Sequence, residues 1–413
     1  MKRLAFLGLR ARRDDGECEY NAETAHRPLP NMHPDHITNA ASVTVDTSSH
    51  LLFSIDADTH RIFEIESLRG FAAFYVVLFH VLRPEIQAYS YVLSIPFRFG
   101  QEAVILFFLL SGFSINYSWS KRSDKRFRVF ARDRLVRIMP IFLVALIVSY
   151  LCAAISAREL IDLDLHAFIG NALMLQDRPR AGTIVQPYMG NEALWSLSYE
   201  VAFYLFYYML VRVVPPNWQT LVVGIASVTF FVVMLFYPNQ LSRFLAYFCI
   251  WWLGAVMSGI YLGHFQAREF YVGLLPVCIL AIYLTILASN SSIDIEIGSS
   301  VLFPYLELRH FAGAVAIALI LFGWSVLGWR GFKPLFKPFA KLSPISYAVY
   351  VIHFPIMTDV RESLHFSPWI TIPGTAAVTL LIAVVLERPF QRIVNDAAKT
   401  DRQKSHTQTD LET

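Results

Sequence analysis

Arg69 and His80 stand eleven residues apart inside one apolar stretch, IESLRGFAAFYVVLFHVL, from Ile65 to Leu82. On a helix that separation is about three turns, so both side chains share a face roughly 16 Å apart in depth. Ionisable groups inside a membrane span are costly and usually mark a functional path. A histidine can take and return a proton near neutral pH. The pair points to chemistry conducted through the thickness of a bilayer. Taken singly, each residue has a plainer reading: Arg69 as a snorkelling interfacial anchor, His80 as a histidine hydrogen-bonded within a bundle.

Other polar residues converge on the same picture. The stretch LWSLSYEVAFYLFYYML carries Glu200, flanked by Ser196, Ser198 and Tyr199. A buried carboxylate needs a partner or a raised pKa. It serves either as an interhelical ion pair or as the group that orients and charges a histidine. This span runs opposite to the first, so Glu200 is predicted to match His80 in depth. In SPISYAVYVIHFPIM, Tyr347, Tyr350 and His353 recur at intervals of three and are predicted to share one helical face. That face either lines a cavity and touches substrate or forms a tyrosine-rich packing seam. Ser343-Pro344 before it resembles a helix start. In FFLLSGFSI, Ser111-Gly112 suits close backbone approach between helices more than nucleophilic chemistry, since no G-x-S-x-G is present. The basic stretch ARDRLVRIMP ends at the next span. Lys121 to Arg128 reads as a topological signal, but Arg132, Arg134 and Arg137 lie closest to the membrane. Guanidinium forks suit phosphate, and coenzyme A carries a 3′-phosphate and a pyrophosphate, so these three form a natural dock for an acyl-CoA.

These residues need a membrane scaffold, and the composition supplies one. Of 413 residues 55% are hydrophobic and only 16% charged, against about 25% charged in an ordinary soluble protein. Runs long enough to span a bilayer centre on 67–83, 100–118, 138–156, 193–213, 219–237, 243–262, 270–289, 310–328, 344–358 and 369–387. The fold class expected is all-α, a polytopic membrane bundle of about ten transmembrane helices. Lys121 to Arg137 holds eight Lys/Arg against two Asp, Arg330 to Lys341 four against none, and Arg388 to Lys404 five against two. All three fall on one side in the ten-span arrangement. The loop 156–192 carries three basic and five acidic groups instead. By the positive-inside rule both termini are cytoplasmic. Residues 1–60 are expected to be a disordered cytoplasmic extension or an upstream start not used in the cell, 61–392 the membrane domain, and 393–413 a disordered cytoplasmic tail. Cys18, Cys152, Cys249 and Cys278 form no CxxC pair, so neither a disulfide framework nor a metal site is expected.

The stretches IESLRGFAAFYVVLFHVL, FFLLSGFSI, ARDRLVRIMPIF, LWSLSYEVAFY, SPISYAVYVIHFPI and LERPFQR resemble, in order over about residues 62–392, acyltransferase family 3 of membrane proteins. The family's arginine, ten residues, then histidine is matched by Arg69 and His80. The chain departs from the family in its N-terminal extension and in lacking the soluble SGNH domain of some members. The resemblance implies a bacterial inner-membrane enzyme that moves an acyl group, most often acetyl, from acyl-CoA to a hydroxyl of a surface glycan or glycolipid such as exopolysaccharide or O-antigen. In that role Arg132, Arg134 and Arg137 hold the CoA phosphates and Arg69 binds deeper along the donor. His80 is the general base, and Glu200 fixes its tautomer. An acyl-histidine intermediate is the competing mechanism. The donor is acyl-CoA with no bound cofactor. Expected partners are the acceptor glycan and membrane lipids, not nucleic acid. The rival function is a glycolipid or small-molecule transporter or flippase without covalent chemistry, although no inverted repeat is visible.

Overall fold

The computed structural model describes residues 55–56, 61–290 and 303–397. The expected extension over residues 1–60, apart from Ile55–Asp56, and the tail beyond Ala397 lie outside the described residues, as does Cys18. Two two-residue strands, β1 (Ile55–Asp56) and β2 (Arg61–Ile62), pair antiparallel just before the bundle. The named elements after them among the described residues are helical: α1 (Phe63–Tyr89), α2 (Tyr91–Ser94), α3 (Gly100–Ser120), α4 (Phe127–Ala157), α5 (Leu165–Ala172), α6 (Trp195–Val213) and α7 (Pro216–Phe236). They are followed by α8 (Gln240–Tyr261), α9 (Ala267–Asn290), α10 (Pro304–Val326), α11 (Phe332–Ala340), α12 (Ser346–Phe354), α13 (Arg361–Ser363) and α14 (Pro368–Val385). The protein is an all-α polytopic bundle. Nine helical stretches among the described residues are long and apolar enough to cross a membrane. Apolar residues one turn apart, such as Ile147, Leu151 and Ile155 on α4, face outward and are exposed, as a lipid-facing stripe must be.

The run 344–358 takes a broken form. A 3₁₀ turn at Ser343–Ile345 leads into α12, and a π segment, Pro355–Val360, carries the chain on to α13. The cause is Pro355, which has no N–H to offer the carbonyl four residues back and clashes with it. That freed carbonyl, on Val351, instead accepts Asn191 Nδ2 at 2.9 Å. Pro140 in α4 creates the same vacancy at Val136, and there Gln391 Nε2 donates at 2.8 Å. Gln391 belongs to a helical stretch that runs from Pro368 to Ala397, past residue 393 where the tail was expected to begin.

Around α8 the bundle closes. Eighty-nine per cent of the apolar part of α8 is buried, and Trp251 and Trp252 are fully enclosed. Small residues make this approach possible. A Cβ on Gly112 of α3 would sit 2.0 Å from the Trp251 carbonyl oxygen, and one on Gly254 of α8 would sit 1.9 Å from that of Leu109. Side-chain bonds then pin the register: Tyr207 Oη donates to Asn116 Oδ1 at 2.8 Å, and Asn116 Nδ2 donates to the Ala255 carbonyl at 3.1 Å. The short helix α11 lays Phe332, Phe336 and Phe339 against Phe63, Phe71 and Phe74 of α1 and turns Lys333 and Lys337 outward.

The segments rich in Lys and Arg gather at one end, where Gln391 reaches Val136 and Gly70 abuts the Phe339 carbonyl. At the opposite end the segment after α5 is tied down by buried ion pairs: Arg243 with Asp177 at 2.8 Å, and Arg180 with Glu307. The backbone contact between α3 and α8 yields a direct check. Gly112→Ala is expected to cost about 1–3 kcal/mol through overpacking against a rigid carbonyl, read as a lowered melting temperature of the detergent-solubilised protein. Gly323→Ala, which meets nothing within 4 Å, is expected to leave that temperature unchanged within about a degree, apart from small helix-propensity gains.

Candidate active site

A cavity of about 270 Å³ opens between α1, α3, α4, α6 and α12. Each helix contributes a polar face set by its own spacing. On α6, Ser196, Glu200 and Tyr204 recur every fourth residue and so line one stripe. On α3, Ser111 and Ser114 lie one turn apart on the facing side. Arg134 and Arg137 of α4 stand at the basic end, with Arg69 and Glu66 of α1 close by, and Tyr347 and Tyr350 of α12 complete the wall.

Arg69 is held firmly. Its Nη1 pairs with Glu66 Oε1 at 2.8 Å and its Nη2 donates to Ser114 Oγ at 2.9 Å. Glu66 also accepts the Ser343 hydroxyl, which joins α1 to the turn before α12. An acid one helical turn before Arg69 is a readable signal, and Glu66 is a site residue that sequence reasoning passed over. Arg134 donates to Ser118 Oγ at 2.8 Å, while its buried Nε has no partner among the described residues. Arg137 is exposed on the wall at the mouth. Arg132 is not on this wall. It lies two residues before Arg134, about 200° around the helix.

Glu200 accepts the Ser111 hydroxyl at 2.8 Å and the hydroxyl of Tyr204. The expected contact between Glu200 and His80 is not made. The reason is depth. Ser196 Oγ meets Tyr350 Oη at 2.7 Å, which sets one common level for α6 and α12. Glu200 lies four residues further toward the basic end and His353 three residues the other way, together about 10 Å along the bundle. His80 keeps company with His353, not with Glu200: the two imidazole rings are 5.4 Å apart, and Phe79 and Phe354 pack edge-on at 4.8 and 5.0 Å.

The α12 stripe needs correction for the same geometric reason. Three residues advance 300° on a helix, so each interval of three drifts by about 60°. Tyr347, whose hydroxyl donates to the Ile138 carbonyl at 3.0 Å, and Tyr350 both reach the cavity. His353 does not. It is fully buried behind Tyr350, its Nδ1 donates to the Tyr350 carbonyl at 2.8 Å, and its Nε2 is unpartnered among the described residues. It therefore does not line this cavity. His80 also stands beyond the cavity wall, past the level of the Tyr350–Ser196 bond. Ser111, read from sequence as a packing residue, belongs to the wall and to Glu200.

With this geometry in view, comparison with known proteins is decisive for the family. The model of acyltransferase family 3, described as an acyltransferase domain, matches residues 62–388. The chain belongs to acyltransferase family 3. Its apolar helices make it a multi-pass membrane protein, and the match covers every wall residue named above. The acyltransferase MdmB of Streptomyces mycarofaciens is 32% identical over 168 residues, covering 38% of this chain. The matched stretch spans only 41% of that relative's own length. No solved structure matches the chain.

The end opposite the basic segments holds a cluster that the sequence had reduced to a loop. Asp177 bonds Arg243 Nε and Tyr199 Oη, and lies 3.8 Å from Arg180, which pairs with Glu307. Arg178 stacks on Trp195 and donates to Gln101 Oε1 at 3.2 Å, and burial lowers the pKa of its guanidinium from the usual value. Removing one partner of a buried pair leaves a stranded charge. Asp177→Asn is expected to lower stability by about 3–5 kcal/mol, read as a large drop in melting temperature, with Arg122→Gln at the exposed Asp133 pair costing under about 1 kcal/mol.

Proposed function

We propose that this acyltransferase moves an acyl group, acetyl in the simplest case, from acyl-CoA to a hydroxyl of a surface glycan such as exopolysaccharide or O-antigen. The enzyme sits in the bacterial inner membrane with its basic end and both termini in the cytoplasm. The observation that carries this reading is the cavity itself. Its mouth bears Arg134 and Arg137, Arg69 follows on the wall, and the wall continues through hydroxyls to Tyr350, beside the histidine pair. A phosphate-bearing head with a long thin arm suits such a shape: guanidinium forks for the phosphates, hydroxyls and apolar surface for the arm.

The chemistry then runs as follows. The acceptor hydroxyl gives its proton to His80 as its oxygen attacks the thioester carbonyl carbon. The tetrahedral intermediate collapses, the carbon–sulfur bond breaks, and the departing thiolate takes the proton back from His80. Glu200, bound to Ser111 and Tyr204, acts on the wall of the donor channel and shapes its polarity. The acceptor meets the thioester near His80, which gives the cytoplasmic donor and the exported glycan one meeting point inside the bundle. The rest of the donor binding falls to α4. Arg134→Ala and Arg137→Ala are each expected to raise KM for acetyl-CoA about 10- to 100-fold, the weight of one or two charge-assisted phosphate bonds, whereas Arg132→Ala, off the wall, shifts it less than about threefold, through long-range charge alone.

The decisive test is the O-acetyl content of surface glycans, measured by mass spectrometry in a deletion strain complemented with wild type or with His80→Ala at equal expression. Loss on deletion, restored by wild type alone, is the expected outcome. Full restoration by His80→Ala removes His80 as the base. Unchanged acetylation on deletion removes the glycan acceptor and favours a transporter or a small-molecule acceptor.

A further inference from the structure

His80 lacks the carboxylate that would ordinarily choose which of its two ring nitrogens carries the proton. Glu200 is engaged one level away, and no side-chain hydrogen bond to His80 occurs among the described residues. What lies against it is another imidazole. The His353 ring is 5.4 Å from that of His80, and Phe79 and Phe354 close the remaining edges of His80 with apolar surface.

The protonation of His353 is dictated by its surroundings. Its Nδ1 faces two backbone carbonyls, that of Tyr350 at 2.8 Å and that of Val349 at 3.2 Å. Carbonyls only accept, so Nδ1 carries the hydrogen. In a neutral ring Nε2 is then a bare acceptor. That atom is buried and unpartnered among the described residues, on a side chain with no solvent exposure. A buried acceptor without a donor is unfavourable, and the ring packed beside it, His80, carries an N–H, although the two rings are not hydrogen-bonded in this structure.

We propose that His353 is the positioning residue of His80: its Nε2 accepts the N–H of one His80 nitrogen and leaves the lone pair of the other free for the acceptor hydroxyl. This rests on the reading of His80 as the base. When His80 takes the acceptor's proton it becomes an imidazolium, and its N–H to His353 becomes a charge-assisted bond, stronger than its neutral counterpart. When the thiolate recovers that proton, the pair returns to its starting state with nothing gained or lost. His353 keeps its Nδ1–H on the Tyr350 carbonyl throughout. The role assigned to a carboxylate from sequence thus falls to an imidazole on α12, whose ring is held by the Tyr350 and Val349 carbonyls of its own helix.

The test separates the two ends of the His353 ring. Asn places an N–H where Nδ1 was and deletes the Nε2 acceptor. Gln reaches the Nε2 position with an amide oxygen. Purified full-length protein in lipid nanodiscs is assayed for transfer from radiolabelled acetyl-CoA to alkali-deacetylated surface polysaccharide, with slow hydrolysis of acetyl-CoA as a second readout. His353→Asn is expected to lower kcat about 10- to 100-fold with donor KM within twofold, and His353→Gln to recover several-fold of that loss. In a His80→Ala background, His353→Asn is expected to cost nothing further, because a positioning residue acts only through the group it positions. A wild-type kcat for His353→Asn, equal losses for Asn and Gln, or losses that multiply in the double variant would each overturn the proposal. If His80→Ala alone keeps the wild-type rate, the base assignment falls and this pairing with it. If wild type transfers nothing to the polysaccharide, only the acceptor class is wrong, and the hydrolysis readout still decides the pair by the same criteria.

Discussion

A bundle surrounded by lipid has no water to which a freed carbonyl or a stranded charge can turn, and the rest of this structure follows from that constraint. Pro140 and Pro355 each release a carbonyl, and each is answered by an amide from a distant part of the chain, Gln391 for Val136 and Asn191 for Val351. Arg243 pairs with Asp177 and Arg180 with Glu307, so these buried charges are matched in sign. Gly112 and Gly254 bring α3 and α8 to backbone contact, where dispersion between surfaces replaces the hydrophobic drive that lipid cannot supply. These long-range partners knit separate spans into one rigid frame, and that frame holds a polar channel open in an apolar slab.

Within the frame, polar groups are graded by depth. Guanidinium groups occupy the basic end, hydroxyls and one carboxylate line the middle, and two neutral-capable imidazoles stand beyond. Arg69 is steadied by Glu66 and Ser114, so its position on the wall is set by two helices and not by its own flexible stem. The Tyr350–Ser196 bond marks the boundary between the cavity and the histidine pair. A group that reacts at His80 must pass this level. The histidine pair thus lies beyond the end of a cavity whose other end carries Arg134 and Arg137.

Much of this was legible before any coordinates. Ten apolar runs and the placement of lysine and arginine foretold the bundle and the grouping of its basic segments at one end. Arg69, Arg134, Arg137, Glu200, Tyr347 and Tyr350 share a type and spacing that marked them for one site, and one cavity contains all six. Three things were misjudged. Glu200 was matched to His80 because the span it lies on runs the opposite way, but the level of a helix in a bundle is set by where its neighbours lock it. His353 was given the face of Tyr347, although a step of three residues drifts by about 60°. Arg132 was grouped with its neighbours by proximity along the chain, yet lies on another side of α4.

The sequence by itself determined the fold class, most of the apolar spans, the family and the chemical types present along the channel, because hydropathy and periodicity act locally and survive in any arrangement of helices. Only the tertiary structure decided which polar groups meet. A hydrogen bond needs atoms within about 3 Å, about the rise of two helical residues, and the relative height of two helices depends on proline-freed carbonyls, glycine contacts and buried ion pairs whose partners lie as many as 255 residues apart. Glu200 with Ser111, Glu66 with Arg69 and Ser343, and His80 beside His353 are consequences of that docking.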